Sequence, residues 1–266
     1  MITELHKIAH AENHFTDKFG IPRQSREESL IETRIVFEPA YRNPDAIRGI
    51  EGYSHLWLIW GFSKNEEKQN TKEVSSSSCS SFSSSSSFSS SSPSSSSSPS
   101  SSAASWSATV RPPRLGGNTR VGVFASRSPF RPNPLGLSSV KLLRVENGAE
   151  GHVLVVSGAD LLNGTPIYDI KPYLPYSDSH PEATNGFAEE TKDYRLEVVG
   201  LDVAECPEIG ASVRAELREI LSQDPRPAYQ DDPERIYKLD YAGLNVAFSV
   251  KNGKLYVKNI TKSDRK

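Results

Sequence analysis

The chain has 266 residues, a formal net charge of −2 and two cysteines. That length suits one large domain or two ordinary ones, and the near-neutral balance confines any polyanion site to a local patch. Cys79 and Cys206 form neither a disulfide framework nor a metal spacing, and neither a secretory h-region nor a membrane span is present, so a soluble cytoplasmic protein is expected.

Residues 2–15 carry His6, His10 and His14 at a spacing of four. That spacing places them on one face of a helix or a strand. With no partner cysteine and scattered apolar residues, a strand with a polar side is predicted rather than a metal site. The turn F-G-I-P-R-Q follows, its Pro22 fixing the backbone just before Arg23 and Gln24. A short strand is predicted over 33–37. Asn43 as N-cap and Pro44 at the first helical position announce one or two helical turns. Residues 51–62, E-G-Y-S-H-L-W-L-I-W-G-F, are bulky and apolar on alternate and adjacent positions alike. They predict a strand buried on both faces or closing a barrel, with His55 a hydrogen-bonded core histidine.

Composition then collapses. Between residues 75 and 105, 24 of 31 positions are serine. Such a tract buries too little apolar surface to offset its ordering entropy, so 65–105 is predicted to be a disordered insertion in a surface connection.

The next stretch, 110–137, reads V-R-P-P-R-L-G-G-N-T-R-V-G-V-F-A-S-R-S-P-F-R-P-N-P-L-G-L. It holds Arg111, Arg114, Arg120, Arg127 and Arg131 with no acidic residue, on a backbone kinked by Pro and Gly. Guanidinium forks held on rigid loops suit planar anions, phosphate or carboxylate. Two strands are predicted over 137–145 and 151–157, joined by a turn. Then comes G-A-D-L-L-N-G-T-P-I-Y-D-I-K-P-Y-L-P-Y, with a turn at Asn163-Gly164. Beyond it, period two puts Thr165, Ile167, Asp169, Lys171 and Tyr173 on one face. Asp169 and Lys171 read either as a structural ion pair or, with Asp160, as the carboxylate half of a site beside the arginine loop. Residues 179–192 form a polar linker. A second unit, 193–266, is predicted to hold a strand near 196–199 and an amphipathic helix over 210–221, whose apolar face is Val213, Leu217, Ile220 and Leu221. It closes with a hairpin at Asn252-Gly253 that pairs Val250 with Leu255 and Phe248 with Val257.

No G-x-G-x-x-G after a strand, no G-x-x-x-x-G-K-[ST] and no G-x-S-x-G is present, which argues against a Rossmann site, a P-loop and a nucleophile elbow. What remains is a mostly β chain with one arginine loop and one carboxylate loop. That pairing suits RNA together with a second ligand that bears positive charge and a ribose.

The motifs I-P-R-Q, E-G-Y-S-H-L-W-L, V-R-P-P-R-L-G-G-N, G-V-F-A-S-R-S-P-F-R-P-N-P-L-G, D-L-L-N-G-T-P-I-Y-D-I-K-P-Y-L-P and D-P-R-P-A-Y together resemble the TrmO (TsaA-like) family, in order and over nearly the whole chain apart from the serine tract. The resemblance implies a mainly β fold: a small antiparallel β-barrel over 1–178 that binds the cofactor, then a small α+β domain over 193–266, assembled as a homodimer. It implies a methyltransferase without a Rossmann domain that moves a methyl group from S-adenosyl-L-methionine to N6 of threonylcarbamoyladenosine at position 37, in the tRNA anticodon loop. Carried over residue by residue, the cofactor contacts are Pro22, Arg23, Gln24, Phe62, Ser63, Arg127, Asn163, Gly164 and Thr165. Ser63 and Asn163 stand where many members have His and Asp, and neither can carry a charge at neutral pH. Acid–base or electrostatic duty therefore shifts to Asp160 and Asp169, with Lys171 beside them, and Arg111, Arg114, Arg120 and Arg131 are expected to meet RNA phosphates or loop bases. The rival readings are an RNA-binding barrel with a vestigial cofactor pocket, and a methyltransferase for another small acceptor.

Overall fold

The computed structural model describes residues 4–22, 24–25, 29–62, 107–112, 115, 119–191, 193–202, 209–226 and 232–263. The serine tract, Arg23, Ser63 and Arg114 lie outside the described residues.

The first strand is shorter than the sequence suggests. β1 (Ala9–Glu12) buries Ala9 and Ala11 and turns His10 and Glu12 outward. His10 and His14 have separate surroundings: His10 Nδ1 lies 2.9 Å from Glu38 Oε1, whereas the His14 ring packs edge-on against Tyr241. β2 (Glu32–Phe37) follows, and Asn43 caps the 3-10 turn Pro44–Ile47 by accepting from the Asp45 amide. β3 spans His55–Gly61. It starts later than expected, because Gly49, at φ 85°, opens the 3-10 turn Ile50–Gly52. Leu56, Leu58 and Trp60 of β3 point into the core, while Trp57 and Ile59 stay half-exposed, so only one face is fully buried. β4 (Thr109–Val110) and β5 (Val121–Gly122) form a small ribbon of their own.

β6 (Leu135–Gly148) runs three residues past the predicted end. Its polar tail is held in the sheet by charge: the Arg144 guanidinium grips both Glu32 oxygens at 2.9 and 2.8 Å, and its Nε donates to Glu146 at 2.9 Å. That pairing holds the Glu32 carboxyl below the usual carboxylate range. β7 (Gly151–Ser157) and β8 (Pro166–Pro172) complete this part. The strands join in the order β1-β2-β7-β6-β3-β8, all antiparallel, and β8 returns to β1 through Ala9 opposite Ile167, so the sheet closes on itself. Its interior is filled by Ile35, Leu56, Leu58, Trp60, Val140, Leu154, Val156, Leu161 and Ile167.

After a helical turn (Pro175–Asp178) and a 3-10 segment (Gly186–Thr191), the second unit contains β9 (Glu197–Val199), α1 (Ala211–Ser222), β10 (Tyr237–Tyr241), β11 (Leu244–Lys251) and β12 (Lys254–Lys262). Its sheet order is β10-β11-β12-β9, with β9 parallel to β12. The hairpin register is as predicted, Val250 opposite Leu255 and Phe248 opposite Val257, with Asn252 and Gly253 at positive φ. α1 buries Leu217, Ile220 and Leu221 against this sheet. Phe15 and Ile31, from the first part of the chain, are buried in the same core, with Phe19 and Ile21 packed against it. Gly20 makes this possible: at φ 96°, a Cβ there would fall 2.3 Å from Leu239. The I-P-R-Q loop is thus clamped by the second unit's core.

Candidate functional site

The interior end of β3 organises the site. Trp60 faces inward, opposite Gly136 on β6 and Ile167 on β8. Its indole crowds Gly136; a Cβ there would sit 2.2 Å from the ring, so only glycine leaves room. From there Trp60 Nε1 donates to Ser138 Oγ at 2.9 Å, and Ser138 Oγ donates to Asp160 Oδ1 at 2.5 Å. Phe62 follows β3, its ring 4.4 Å from that of Trp60 and its N–H bound to the Pro134 carbonyl at 3.1 Å.

Asp160 arrives from the end of β7, the neighbour of β6 in the ring. β7 ends at Ser157, Gly158 turns at φ 81°, Ala159 is buried, and Asp160 follows half-buried. Burial pushes its carboxyl above the ordinary range; bonds from Ser138 and from its own backbone N–H, and the charge of Arg127, pull back in part. Arg127 in turn hydrogen-bonds Gln24 Oε1. Positions 24, 127, 138 and 160, drawn from four separate segments, therefore meet at one end of the ring.

The loop carrying Arg127 is internally braced. Ser126 Oγ donates to the Val123 carbonyl at 2.9 Å, and the Arg131 guanidinium donates to the carbonyls of Ser126 at 2.9 Å and Ser128 at 3.4 Å. Arg131 thus spends part of its fork on holding the turn that presents Arg127. Arg111 and Arg120 are exposed around the β4–β5 ribbon, and Arg120 lies 3.5 Å from Thr109 Oγ1. Phe124 and Phe130, 72% and 63% exposed, sit among these arginines.

The carry-over residues of the second loop are already committed to structure. Asn163 Oδ1 accepts from the Asn13 amide at 3.1 Å, and the Asn163 N–H donates to the Phe15 carbonyl at 2.9 Å. Gly164, at φ 78°, donates to the Ala11 carbonyl at 2.8 Å. Thr165 is buried, and its hydroxyl donates to Leu162 O at 2.7 Å. Pro22 is buried in the clamped loop next to the exposed Gln24.

The period-two expectation over β8 fails part-way. Asp169 lies opposite Ile59, but Ile167 lies opposite Trp60, so Tyr168 is an extra residue. Residues facing one another across a sheet share a face. Thr165 and Ile167 therefore point inward, whereas Asp169 and Lys171 share the outer face with Ile59 and Trp57. There Lys171 Nζ and Asp169 Oδ2 form a solvent-exposed pair at 2.9 Å. Asp160 and Asp169 lie on opposite faces of the wall.

Sequence reading missed Trp60 and Ser138. A signal existed: Ser138 is a lone hydroxyl at an inward position of an apolar strand, and a buried indole N–H needs an acceptor.

The chain matches the family model of the tRNA-methyltransferase O N-terminal domain over residues 10–97 and 94–179, and that of the TrmO C-terminal domain over 199–263. The chain belongs to the tRNA-methyltransferase O family. It is by that membership a methyltransferase. The two N-terminal matches meet inside the serine tract. Among similar proteins, a tRNA (adenine(37)-N6)-methyltransferase of Eikenella corrodens is 51% identical over 151 residues, 56% of this chain and 84% of that protein. One of Escherichia coli K12 is 33% identical over 243 residues, 89% of this chain and 88% of its own. A crystal structure of TrmO from Pseudomonas aeruginosa superposes with a TM-score of 0.67 at 26% identity, over 99% of this chain and 98% of that one. Among the described residues, no helix is long and apolar enough to cross a membrane.

Proposed function

We propose that this chain moves a methyl group from S-adenosyl-L-methionine to N6 of threonylcarbamoyladenosine at position 37 of tRNA, working in the cytoplasm as a homodimer. The observation that carries the reading is the convergence of Gln24, Arg127, Ser138 and Asp160 at one end of the closed ring, which we take as the cofactor-carrying barrel.

The donor set fits this cofactor. A guanidinium suits its carboxylate, and the half-exposed Phe62 ring suits its base. A carboxyl whose burial makes ionisation costly gains most from an incoming cation, so Asp160 matches a positively charged tail or centre. When bound, the cofactor supplies an electrophilic methyl on a sulfonium. The chain's own residues do the positioning, which is most of what a displacement of this kind needs. Arg127, aimed by Gln24 and by the Arg131-braced turn, holds the carboxylate. Asp160 neutralises positive charge and, with its raised affinity for a proton, can take the one lost from the acceptor nitrogen. It does both inside the ring, so we assign the carboxylate role to Asp160 and leave Asp169 and Lys171 as an outer ion pair.

On the RNA side, the exposed Arg111 and Arg120 at the β4–β5 ribbon serve as phosphate contacts, and the exposed Phe130 offers a ring on which an unpaired loop base can stack. The exposed Leu135 and Leu137, beside half-exposed Ile59 and Trp57, give the outer wall an apolar surface suited to a second copy.

Isothermal titration with S-adenosylmethionine, and nucleoside analysis of tRNA carrying threonylcarbamoyladenosine after incubation with enzyme and cofactor, test the reading together. Cofactor binding lost about ten- to a hundredfold in Arg127→Ala, with N6-methylated product from the wild type, is expected, since a charge-assisted bond contributes about 1.5–3 kcal/mol. Binding without product on that tRNA would point to another acceptor. Failure of the wild type to bind the cofactor would leave an RNA-binding protein.

A further inference from the structure

The chemistry of its members gives the chain from Trp60 to Asp160 a direction. An indole nitrogen only donates, so across the 2.9 Å contact Trp60 Nε1 gives its hydrogen to Ser138 Oγ. A serine hydroxyl has a single hydrogen. Among the described residues its acceptor is Asp160 Oδ1, at 2.5 Å. With Ser138 only 1% exposed, a hydroxyl turned away from Asp160 would leave a buried donor unmade, at a cost of about 1–3 kcal/mol. The indole cannot swing aside, because it is pressed onto the Gly136 backbone and against Phe62. Oδ1 therefore accepts in either protonation state, and a proton on Asp160 resides on Oδ2. Arg127 is the one charged group found to act on this carboxyl among the described residues.

We propose that Trp60 and Ser138 form a one-way hydrogen-bond relay that keeps Oδ1 of Asp160 an acceptor and leaves Oδ2 as the oxygen that meets a cation or takes a proton. Both are thus positioning residues of the methyl-transfer site. The proposal rests on the assignment of Asp160 to that site. It also explains why a hydroxyl and an indole nitrogen are placed together inside a mostly apolar ring: they orient the carboxyl, and they stabilise its charged form against burial.

The test follows Asp160 itself. In full-length protein labelled at aspartate carboxyl carbons, its resonance is assigned by Asp160→Asn and titrated in the wild type, Ser138→Ala, Ser138→Thr and Trp60→Phe. Removing the donor in Ser138→Ala should move the Asp160 midpoint upward. Trp60→Phe should move it less in the same direction, and Ser138→Thr should restore the wild-type curve. S-adenosylmethionine affinity at neutral pH should fall about tenfold in Ser138→Ala and recover as pH rises and Asp160 ionises, whereas a merely structural role would lower affinity equally at every pH. An unmoved midpoint in folded Ser138→Ala, or a pH-independent loss of affinity, overturns the relay. Should Ser138→Ala fail to fold, an unmoved midpoint in Trp60→Phe overturns it instead. Unchanged cofactor affinity in Asp160→Asn would refute the site assignment alone, and the titrations would still decide the relay.

Discussion

Gly136→Ala probes the architecture of the site without touching a polar group. The added Cβ would lie 2.2, 2.4 and 2.6 Å from three atoms of the Trp60 ring, where ordinary contact begins near 3.4 Å. The neighbour is the fused body of an indole held in a packed ring, not the free end of a flexible chain. The indole must therefore retreat by roughly 1 Å, or β6 must separate from β3. Either motion carries Trp60 Nε1 out of bonding range of Ser138. Overpacking of this kind costs about 1–3 kcal/mol, and the lost bond adds about 0.5–1.5 kcal/mol. At roughly 2–4 °C per kcal/mol for a chain of this size, the melting temperature should fall by about 3–18 °C. Gly148→Ala, on the same strand but with nothing within 4 Å, is the control and should change stability by less than about 0.5 kcal/mol. Differential scanning calorimetry reads both, and tryptophan fluorescence reports displacement of the indole. If Gly136→Ala melts with the wild type and its emission is unshifted, the close packing that sets the site's geometry is refuted.

Three further outcomes are expected. Asp169→Asn should leave cofactor affinity unchanged and alter stability by less than about 1 kcal/mol, because its pair with Lys171 is exposed; a large loss of turnover measured by methyl transfer would return Asp169 to the site. Asp160→Asn should raise the melting temperature at neutral pH, and this gain should vanish at acid pH. The sign follows from linkage: the folded-state carboxyl is raised above its unfolded value, so the folded protein binds the proton more tightly, and stability falls as pH rises through that window. Replacing residues 74–105 by a short Gly/Ser link should leave melting temperature and turnover nearly unchanged, as a several-fold loss of turnover with normal melting would show that the tract meets substrate.

Where one rule decides local structure, the sequence was a reliable guide. The terminal hairpin came out in register because Asn252-Gly253 admits a two-residue turn with positive φ at both positions, and alternation then leaves one pairing that buries Val250 and Phe248. The helix was legible for the same reason, since only one stripe of its surface, Leu217, Ile220 and Leu221, could be buried. The arginine turn was legible as chemistry but not as geometry: five like charges with no acid announce an anion, yet nothing local says that Arg131 braces the loop while Arg127 bonds Gln24 and acts on Asp160 through its charge. β8 shows where such reading stops. Period two places Asp169 with Thr165 and Ile167 only if the register stays even, and the bulge at Tyr168 transfers everything after it to the other face. Its cause lies on the neighbouring strand, β3. The Tyr168 ring rests on Gly61, where a Cβ would fall 2.7 Å from it, so the bulge depends on a glycine over a hundred residues away. Trp60 needs Gly136 in the same manner. The site is therefore specified by pairs of bulky and absent side chains on facing strands, and the inward carboxylate, Asp160, is the one such pairing selects.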